Sequence, residues 1–259
     1  MTSKKLWTRE ELILAFNLYL KLPFGKMNKS TPEVKKLAEI LGRTPSSIGM
    51  RLGNFASVDP FHINRGIVGL KNGIRQTQPI WDEFFNNQEE LVFQSEKILA
   101  EKENTTIESK FEDILSDIKD LKGEDVVREV RTRVNQSVFR KMVLSNYNNK
   151  CAITGIDIPE LLLASHIIPW SKNEEHRLNP ENGICFSALY DKAFDKGLIG
   201  INTNHEIVFS NAIKKKRETE FYQAYFSPIE NQKINIAQKY LPRKEFLEYH
   251  LDTIFNSLA

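Results

Sequence analysis

The sequence predicts an α+β protein with a helical amino-terminal domain, a helical linker, and a carboxy-terminal domain of two strands followed by a helix. Apolar residues recur at helical spacing in the first part of the chain, from residue 6 to residue 60. Residues 86–122 are rich in Glu and Lys and again carry apolar residues at helical spacing. Residues 161–199 contain an apolar run, a polar loop with a proline, a second apolar run and a helical pattern. These observations divide the chain into domains at residues 1–85, 86–122 and 123–259.

The composition is that of a globular protein with a hydrophobic core. Of the 259 residues, 41% are hydrophobic and 27% are charged, and the formal net charge is +2. So weak a positive charge neither requires nor excludes a nucleic acid partner, because the distribution of charge matters more than its sum. The two cysteines are too few for a disulfide framework and suit a reducing compartment.

The beginning of the sequence contains no long apolar segment of the kind found in signal peptides. No apolar run approaches the length of about 18 residues that a membrane helix requires. We therefore expect a cytoplasmic protein that has no membrane partner.

Helix boundaries are marked clearly in the amino-terminal domain. Thr8 and Glu11 form a capping box at the start of the first helix. Thr31 and Thr44 are each followed by proline, which favours the first position of a helix. Gly42 ends the helix that begins after Thr31.

Two helices separated by a short glycine turn are typical of a helix-turn-helix unit. In that interpretation the second helix enters a DNA groove, with Ser47, Arg51 and Asn54 among the residues that contact DNA. The residues expected to point outward are Ser46, Ser47, Gly49, Met50, Arg51 and Asn54. The alternative is a packed helical hairpin whose polar face is solvated.

The linker at residues 86–122 has two interpretations. Its helical pattern is interrupted around Asn104–Thr106, so we expect one or two connecting helices. These are either spacer helices packed on their own chain or a coiled coil that forms a homodimer.

Three residues in the carboxy-terminal domain suit the hydrolysis of a phosphodiester. His166 ends an apolar run and is a candidate general base, because neutral imidazole can accept a proton near neutral pH. Asp191 is a candidate ligand for Mg²⁺, which prefers carboxylate oxygens and keeps several waters. Asn182 would either orient the imidazole or hold the loop between the strands. Each residue alone is more typical of a core histidine or of a surface polar group.

The combined string is more specific than the single residues. The segments CAITG, LLLASHIIPW, NPENG and LYDKAFDKGLI follow one another in the order and spacing of restriction-type HNH endonucleases. The chain resembles that family over residues 126–200. The resemblance implies a ββα-metal fold that cuts DNA with a divalent ion, Mg²⁺ or Mn²⁺. It also implies that His166 is the general base, Asn182 the central asparagine and Asp191 a metal ligand.

The sequence departs from the family pattern at three places. Ser165 stands where many relatives carry an acid or a second histidine, and it would act as a metal ligand only through water. Tyr190 stands where many carry histidine, and it would either bind a phosphate or pack. Cys151 and Cys185 keep only the first cysteine of each CxxC pair, so we expect no structural zinc and two buried thiols. The residues expected in the core are Ile153, Leu162, Leu163, Ile167, Ile184, Phe186, Leu189, Phe194 and Leu198.

A basic stretch lies just before the CAITG segment. Related nucleases carry a similar pattern of Arg, Gln and Phe-Arg, and guanidinium groups suit phosphate oxygens. The alternative is a solvated helix face paired with the acids of residues 112–129. The residues concerned are Arg131, Arg133, Gln136, Phe139 and Arg140.

Taken together, these observations predict a metal-dependent DNA endonuclease. A biological role in restriction or anti-phage defence is predicted by analogy only. One alternative is a DNA-binding protein with an inactive HNH fold, suggested by Ser165 and Tyr190. Another is a nuclease whose amino-terminal domain binds a protein or a small signal.

Overall fold

The two halves of the chain form separate compact units, Met1–Val138 and Phe139–Ala259. The first contains helices, and the second contains helices and two antiparallel two-stranded sheets, so the predicted α+β class is confirmed. Among the helices that are described, none combines the length and apolar character of a membrane span. The computed structural model describes residues 6–22, 24–64, 66, 71–116, 124–237 and 239–255.

The first unit is built around buried aromatic residues. The rings of Phe16 and Phe55 stack with centroids 4.7 Å apart, and Trp81 packs against the Phe16 ring. The helices are α1 (Arg9–Lys21), α2 (Pro32–Ile40), α3 (Pro45–Ala56), α4 (Pro60–Ile63), α5 (Lys71–Phe84), α6 (Gln88–Lys102), α7 (Ile107–Lys110), α8 (Glu112–Leu115) and α9 (Glu124–Asn146), within which the boundary between the units falls.

The predicted helix boundaries are confirmed where local capping determines them. Thr8 and Glu11 exchange side-chain and backbone hydrogen bonds at the start of α1. The Thr44 hydroxyl accepts a hydrogen bond from the Ser47 amide at the start of α3. Gly42 adopts φ +59° between α2 and α3, a conformation that glycine adopts without steric strain.

The outward placement of Arg51 and Asn54 on α3 is wrong. Both side chains are buried, at 5% and 6% exposure. The Arg51 guanidinium donates to the carbonyl oxygen of Gly73 and to Oε1 of Gln76 on α5. A Cβ atom at Gly73 would lie 2.2 Å from the Asn54 amide nitrogen, so the two groups are in close contact. This face of α3 is therefore covered by α5, and neither residue is available to DNA there.

Ser47 and Met50 keep the exposure expected of them. Ser47 is partly exposed and Met50 is exposed on α3. The helix pair α2–α3 consequently has a smaller polar outer face than the sequence suggests.

The linker segment packs on its own chain. Ile107, Phe111 and Leu115 form a buried cluster with Val130 and Val134 of α9. The interruption expected near Asn104–Thr106 is present, and Thr106 caps α7. Of the two interpretations, the packed spacer describes these helices, and formation of a homodimer stays a prediction.

The second unit contains a ββα arrangement followed by a small hairpin and further helices. Strands β1 and β2 pair antiparallel, and so do β3 and β4. The elements are β1 (Leu162–His166), β2 (Gly183–Ser187), α10 (Ala188–Asp195), β3 (Ile199–Ile201), β4 (Ile207–Phe209), α11 (Asn211–Lys214), α12 (Glu220–Tyr225) and α13 (Lys244–His250), which continues as a π-helical turn over Leu251–Phe255.

Five of the nine residues predicted for the core of this unit are buried, two are partly buried and two are exposed. Leu163 and Leu189 are 38% and 37% exposed, so their assignment to the core is wrong. Successive side chains on β1 point to opposite faces, and the face with Leu163 is not covered at that position. Ile153 and Leu198 are partly buried. The buried members are Leu162, Ile167, Ile184, Phe186 and Phe194.

His250 should make the stability of the second unit sensitive to acid. Its ring is fully buried, stacks on Phe194 at 3.6 Å, and is hydrogen-bonded through Nε2 to the Phe194 carbonyl. Burial lowers the pKa of His250 to about 4. The unfolded chain, with a histidine pKa of about 6.5, therefore binds a proton that the folded chain does not. Stability should fall as pH drops from about 6.5 to about 4, by up to about 3 kcal/mol from this group.

Urea unfolding at pH 7 and at pH 4.5 measures this contribution. His250→Gln keeps a donor for the Phe194 carbonyl but cannot take up a proton in this range. The stability difference between the two pH values should be smaller in this variant than in the wild type. An equal difference would show that His250 does not contribute to it.

Candidate functional site

The β1–β2 pair and α10 bring the predicted site residues together. Ser165 and His166 are consecutive at the end of β1, so their Cα atoms are about 3.8 Å apart. His166 pairs with Gly183 across the sheet, and α10 follows β2 directly. The buried Ser165 hydroxyl donates a hydrogen bond to the Asp191 carboxylate in the first turn of α10.

The His166 imidazole is fixed from three sides. Its Nε2 lies 2.9 Å from the carbonyl oxygen of Arg177. Its ring stacks on Phe139 with centroids 3.8 Å apart, and Trp170 meets it edge-on at 5.5 Å. Because a carbonyl can only accept, Nε2 carries the proton and the lone pair of the neutral ring lies on Nδ1.

The electrostatics of this position keep the ring neutral. The pKa of His166 is lowered to about 4, mainly by burial; the hydrogen bond to the Arg177 carbonyl opposes the shift, and the Arg177 charge adds to it. At neutral pH the imidazole is therefore unprotonated. Its Nδ1 is chemically able to accept a proton from water.

Asn182 holds the loop between the strands. Its side chain accepts a hydrogen bond from the Ile168 amide at 2.8 Å and donates to the carbonyls of Ile168 and His176, each at 3.1 Å. Of the two roles expected of Asn182, its contacts fit fixing of the loop. The imidazole is instead oriented by the carbonyl of Arg177, within that loop.

Tyr190 is not placed to bind a phosphate. Its side chain is 5% exposed, and its hydroxyl donates to the carbonyl oxygen of Tyr225 at 2.5 Å. The pKa of Tyr190 is raised, mainly because the side chain is buried. Of the two roles expected for this residue, packing is correct and the phosphate contact is wrong.

Most of the upstream arginines have protein partners. Arg140 donates to the carbonyl oxygens of Leu162 and Pro159, at 2.5 and 2.9 Å, and so supports the entry to β1. Within the first unit, Arg131 pairs with Glu90, and Arg133 pairs with Glu129. These two bonds use two of the five guanidinium donors of Arg140, and its phosphate contact stays a prediction. A phosphate would have to compete with Glu90 for Arg131 and with Glu129 for Arg133. The Gln136 side chain is exposed.

The two cysteines are buried, free thiols. The Cys151 sulfur accepts hydrogen bonds from the amides of Thr154 and Ser187, at 3.4 and 3.2 Å. Burial, followed by the neighbouring Cys151, raises the pKa of Cys185 to about 12. The thiols therefore contribute to the packing between the turn before β1 and the end of β2.

The oxygen atoms of Asp191 and Ser165 fit a hard divalent cation. Across the described residues, no group of three or more His, Cys, Asp or Glu side chains is arranged to hold a metal. Mg²⁺ is compatible with so small a set, because it retains several waters. Asp195 lies one turn after Asp191, and its pKa is raised by burial first and by the Asp191 carboxylate second.

Gly183 permits the close packing beneath His166. A Cβ atom at this position would lie 2.4 Å from Cγ2 of Val143 and 2.8 Å from Cζ of Phe139. Gly183→Ala should therefore destabilise the second unit by about 1–3 kcal/mol through overpacking. Thermal and urea unfolding measure the change. Gly53→Ala is the control, because a Cβ atom at that helical position would meet open space. The stability of this variant should equal or exceed that of the wild type.

Sequence reasoning missed the backbone partner of His166. The Arg177 carbonyl carries no side-chain signal, and only the fold of the loop brings it to Nε2. The Phe139 ring was recognised in a basic pattern, but its stacking on His166 was not. Gly183, which directly follows Asn182, was the sequence signal that could have pointed to this packing, because it pairs with His166 and leaves room for the Phe139 ring.

Comparison with known proteins agrees with this geometry. Residues 151–202 match the family described as HNH endonuclease, and the match covers β1, β2, α10 and β3. No curated protein matches the chain. The carboxy-terminal part of this protein therefore contains a nuclease domain of the HNH type, whose substrate class is nucleic acid.

Proposed function

We propose that this protein is a metal-dependent DNA endonuclease that hydrolyses phosphodiester bonds at the His166–Asp191 site. The observation that carries the proposal is the hydrogen bond from His166 Nε2 to the Arg177 carbonyl, which leaves the lone pair on Nδ1. Ser165, the residue before His166 at the end of β1, donates to Asp191, so the candidate base and the candidate metal ligand are linked through neighbouring residues.

His166 activates the attacking water in this proposal. Nδ1 accepts the proton of the water, while the Arg177 carbonyl and the Phe139 ring keep the imidazole from rotating. A substrate phosphate near the ring favours the imidazolium form, which raises the basicity of His166 above that of the free site. Asn182 is a positioning residue, because it holds the loop that provides the carbonyl.

Asp191 is the residue that would hold Mg²⁺ or Mn²⁺. Ser165 donates to its carboxylate and so fixes the direction of the remaining oxygen lone pairs. A bound divalent cation would neutralise the negative charge that develops on the phosphate and on the leaving oxygen. Tyr190 contributes indirectly, because it packs the start of α10 against Tyr225.

The substrate in this proposal is DNA, and the biological role is restriction or phage defence by analogy with related nucleases. Gln136 and Ser47 are exposed or partly exposed and remain the candidates for contacts to the DNA backbone. The buried free thiols of Cys151 and Cys185 are compatible with a reducing cytoplasm.

End-labelled DNA and RNA duplexes of the same sequence test the proposal. With the full chain and Mg²⁺ or Mn²⁺, the DNA duplex should be cut and the RNA duplex should not, and EDTA should stop the reaction. Phage genomic DNA is included as a substrate with modified bases. If RNA is cut in preference to DNA, the proposed substrate is wrong. If EDTA has no effect, the proposed metal dependence is wrong.

A further inference from the structure

Helix α12 exposes two aromatic side chains on one face. Phe221 and Tyr225 are 50% and 51% exposed, and their ring centroids are 5.3 Å apart. They are four residues apart on the helix, so both rings stand on the same side. Exposed aromatic pairs of this kind mark interaction sites more often than isolated apolar residues do.

The rest of α12 is fixed in the fold. Tyr222 and Phe226 are buried, and both pack against Phe209 of β4. Tyr222 also donates to Glu230, which pairs with Arg217 before the helix. Phe221 and Tyr225 are therefore displayed on a rigid support.

Three consecutive lysines precede α12 in the chain. Lys214, Lys215 and Lys216 are exposed at the end of α11 and in the turn that leads to α12. The Lys216 carbonyl accepts a hydrogen bond from Thr219, the N-cap of α12, so the turn is attached to the helix. Glu218 and Glu220 are also exposed, and three lysines against two glutamates leave the segment positive.

The same helix is joined to the candidate site. The Tyr190 hydroxyl donates to the carbonyl of Tyr225, and the Tyr190 ring meets Phe226 edge-on at 6.0 Å. Tyr190 immediately precedes Asp191 on α10. The end of α12 is thus hydrogen-bonded to the residue that directly precedes the proposed metal ligand.

We propose that Phe221, Tyr225 and Lys214–Lys216, here called the aromatic–lysine surface, bind a single-stranded segment of the DNA substrate beside the scissile phosphate. This inference rests on the proposed function. Aromatic rings stack on bases only where the bases are unpaired, and lysines attract the phosphates of the same strand. The positive charge and the attachment to α10 favour a nucleic acid strand as the occupant.

Binding measured without cleavage tests the surface separately from the nuclease. Fluorescence anisotropy of a labelled oligothymidine is followed with the full chain in EDTA, and a duplex serves as the second probe. Phe221→Ala combined with Tyr225→Ala should weaken binding of the single strand by about 10-fold or more, and duplex binding should change less. The triple variant Lys214→Gln, Lys215→Gln and Lys216→Gln should bind the single strand with an affinity that depends less on salt. The slope of log affinity against log salt concentration should become shallower by about 0.7 for each phosphate that the lysines had neutralised.

Matched variants separate loss of rings from loss of folding. Phe221→Tyr with Tyr225→Phe keeps both rings and should bind as the wild type does. Ile236→Ala removes another exposed apolar side chain of the second unit and should also leave binding unchanged. Thermal unfolding of each variant identifies any that fail to fold.

Three results would overturn the inference. The wild type could show no affinity for the oligothymidine, or the double alanine variant could bind it as tightly as the wild type. Alternatively, sedimentation could show that the double variant loses self-association instead, which would assign the surface to a second copy of the chain. Tight ring-dependent binding without DNA cleavage in Mg²⁺ would contradict the proposed nuclease function and leave the surface assignment intact.

Discussion

His166→Ala should lower the rate of DNA cleavage by about 10²- to 10⁴-fold, the range expected for loss of a general base. The neutral form of this imidazole is fixed by the hydrogen bond that Nε2 donates to the Arg177 carbonyl, which leaves Nδ1 to accept the proton of water. DNA affinity should stay close to that of the wild type, because the partly buried ring is stacked on Phe139. Single-turnover cleavage and anisotropy in EDTA measure the two quantities.

His205→Asn is the control for this experiment. His205 lies in the turn between β3 and β4 with φ +64°, a conformation that asparagine tolerates. Its replacement removes a histidine from the same unit and should leave cleavage unchanged. If His166→Ala cleaves at the wild-type rate while it remains folded, His166 is not the base.

Asp191→Asn should reduce cleavage by more than about 100-fold and raise the Mg²⁺ concentration needed for half-maximal rate. Even residues that only orient a metal ligand contribute roughly 10- to 100-fold, so a direct ligand should contribute more. The amide keeps the size of the side chain and still accepts the hydrogen bond from Ser165, which limits the structural change. A Mg²⁺ titration of the cleavage rate measures both effects.

Asp195→Asn makes the same change of charge one helical turn later. Asp195 lies at the end of α10, and among the residues described the Ser165 hydroxyl donates to Asp191 and not to Asp195. Its replacement should alter the Mg²⁺ requirement only slightly. Equal Mg²⁺ dependence of the wild type and Asp191→Asn would exclude Asp191 as the ligand.

Local signals in the sequence were enough to predict the elements that position the site. The capping residues Thr8 and Thr44 and the turn at Gly42 determine helix ends through contacts within a few residues. The apolar run before His166 and the loop that ends at Asn182 likewise predicted the β1–β2 pair. These features depend on neighbouring residues, so they can be inferred from the order of the amino acids.

Long-range packing accounts for what the sequence did not predict. Arg51 has the character of a surface residue, yet α5 covers it and provides two acceptors. Tyr190 has a hydroxyl suited to a phosphate, yet the Tyr225 carbonyl, far along the chain, accepts its hydrogen bond. A helical pattern shows which face is polar, but it does not show which later segment will cover that face.

Two of the three departures from the family pattern, Ser165 and Tyr190, have different consequences in the structure. Ser165 contacts the carboxylate of Asp191, so it stays part of the candidate site with a weaker ligand than an acid. Tyr190 is removed from the reacting groups and joins α10 to α12. The proposed site depends on one base and one carboxylate, so its activity should be sensitive to the loss of either.

Conversion of supercoiled plasmid by the purified full chain tests the central claim most directly. In Mg²⁺ or Mn²⁺ the wild type should convert the plasmid to nicked or linear forms, and EDTA should prevent the conversion. Because a base and a metal ligand act as a unit, the double variant His166→Ala with Asp191→Asn should be about as inactive as the worse of the two single variants. Equal conversion of the plasmid by the wild type and this double variant would contradict the assignment of the site.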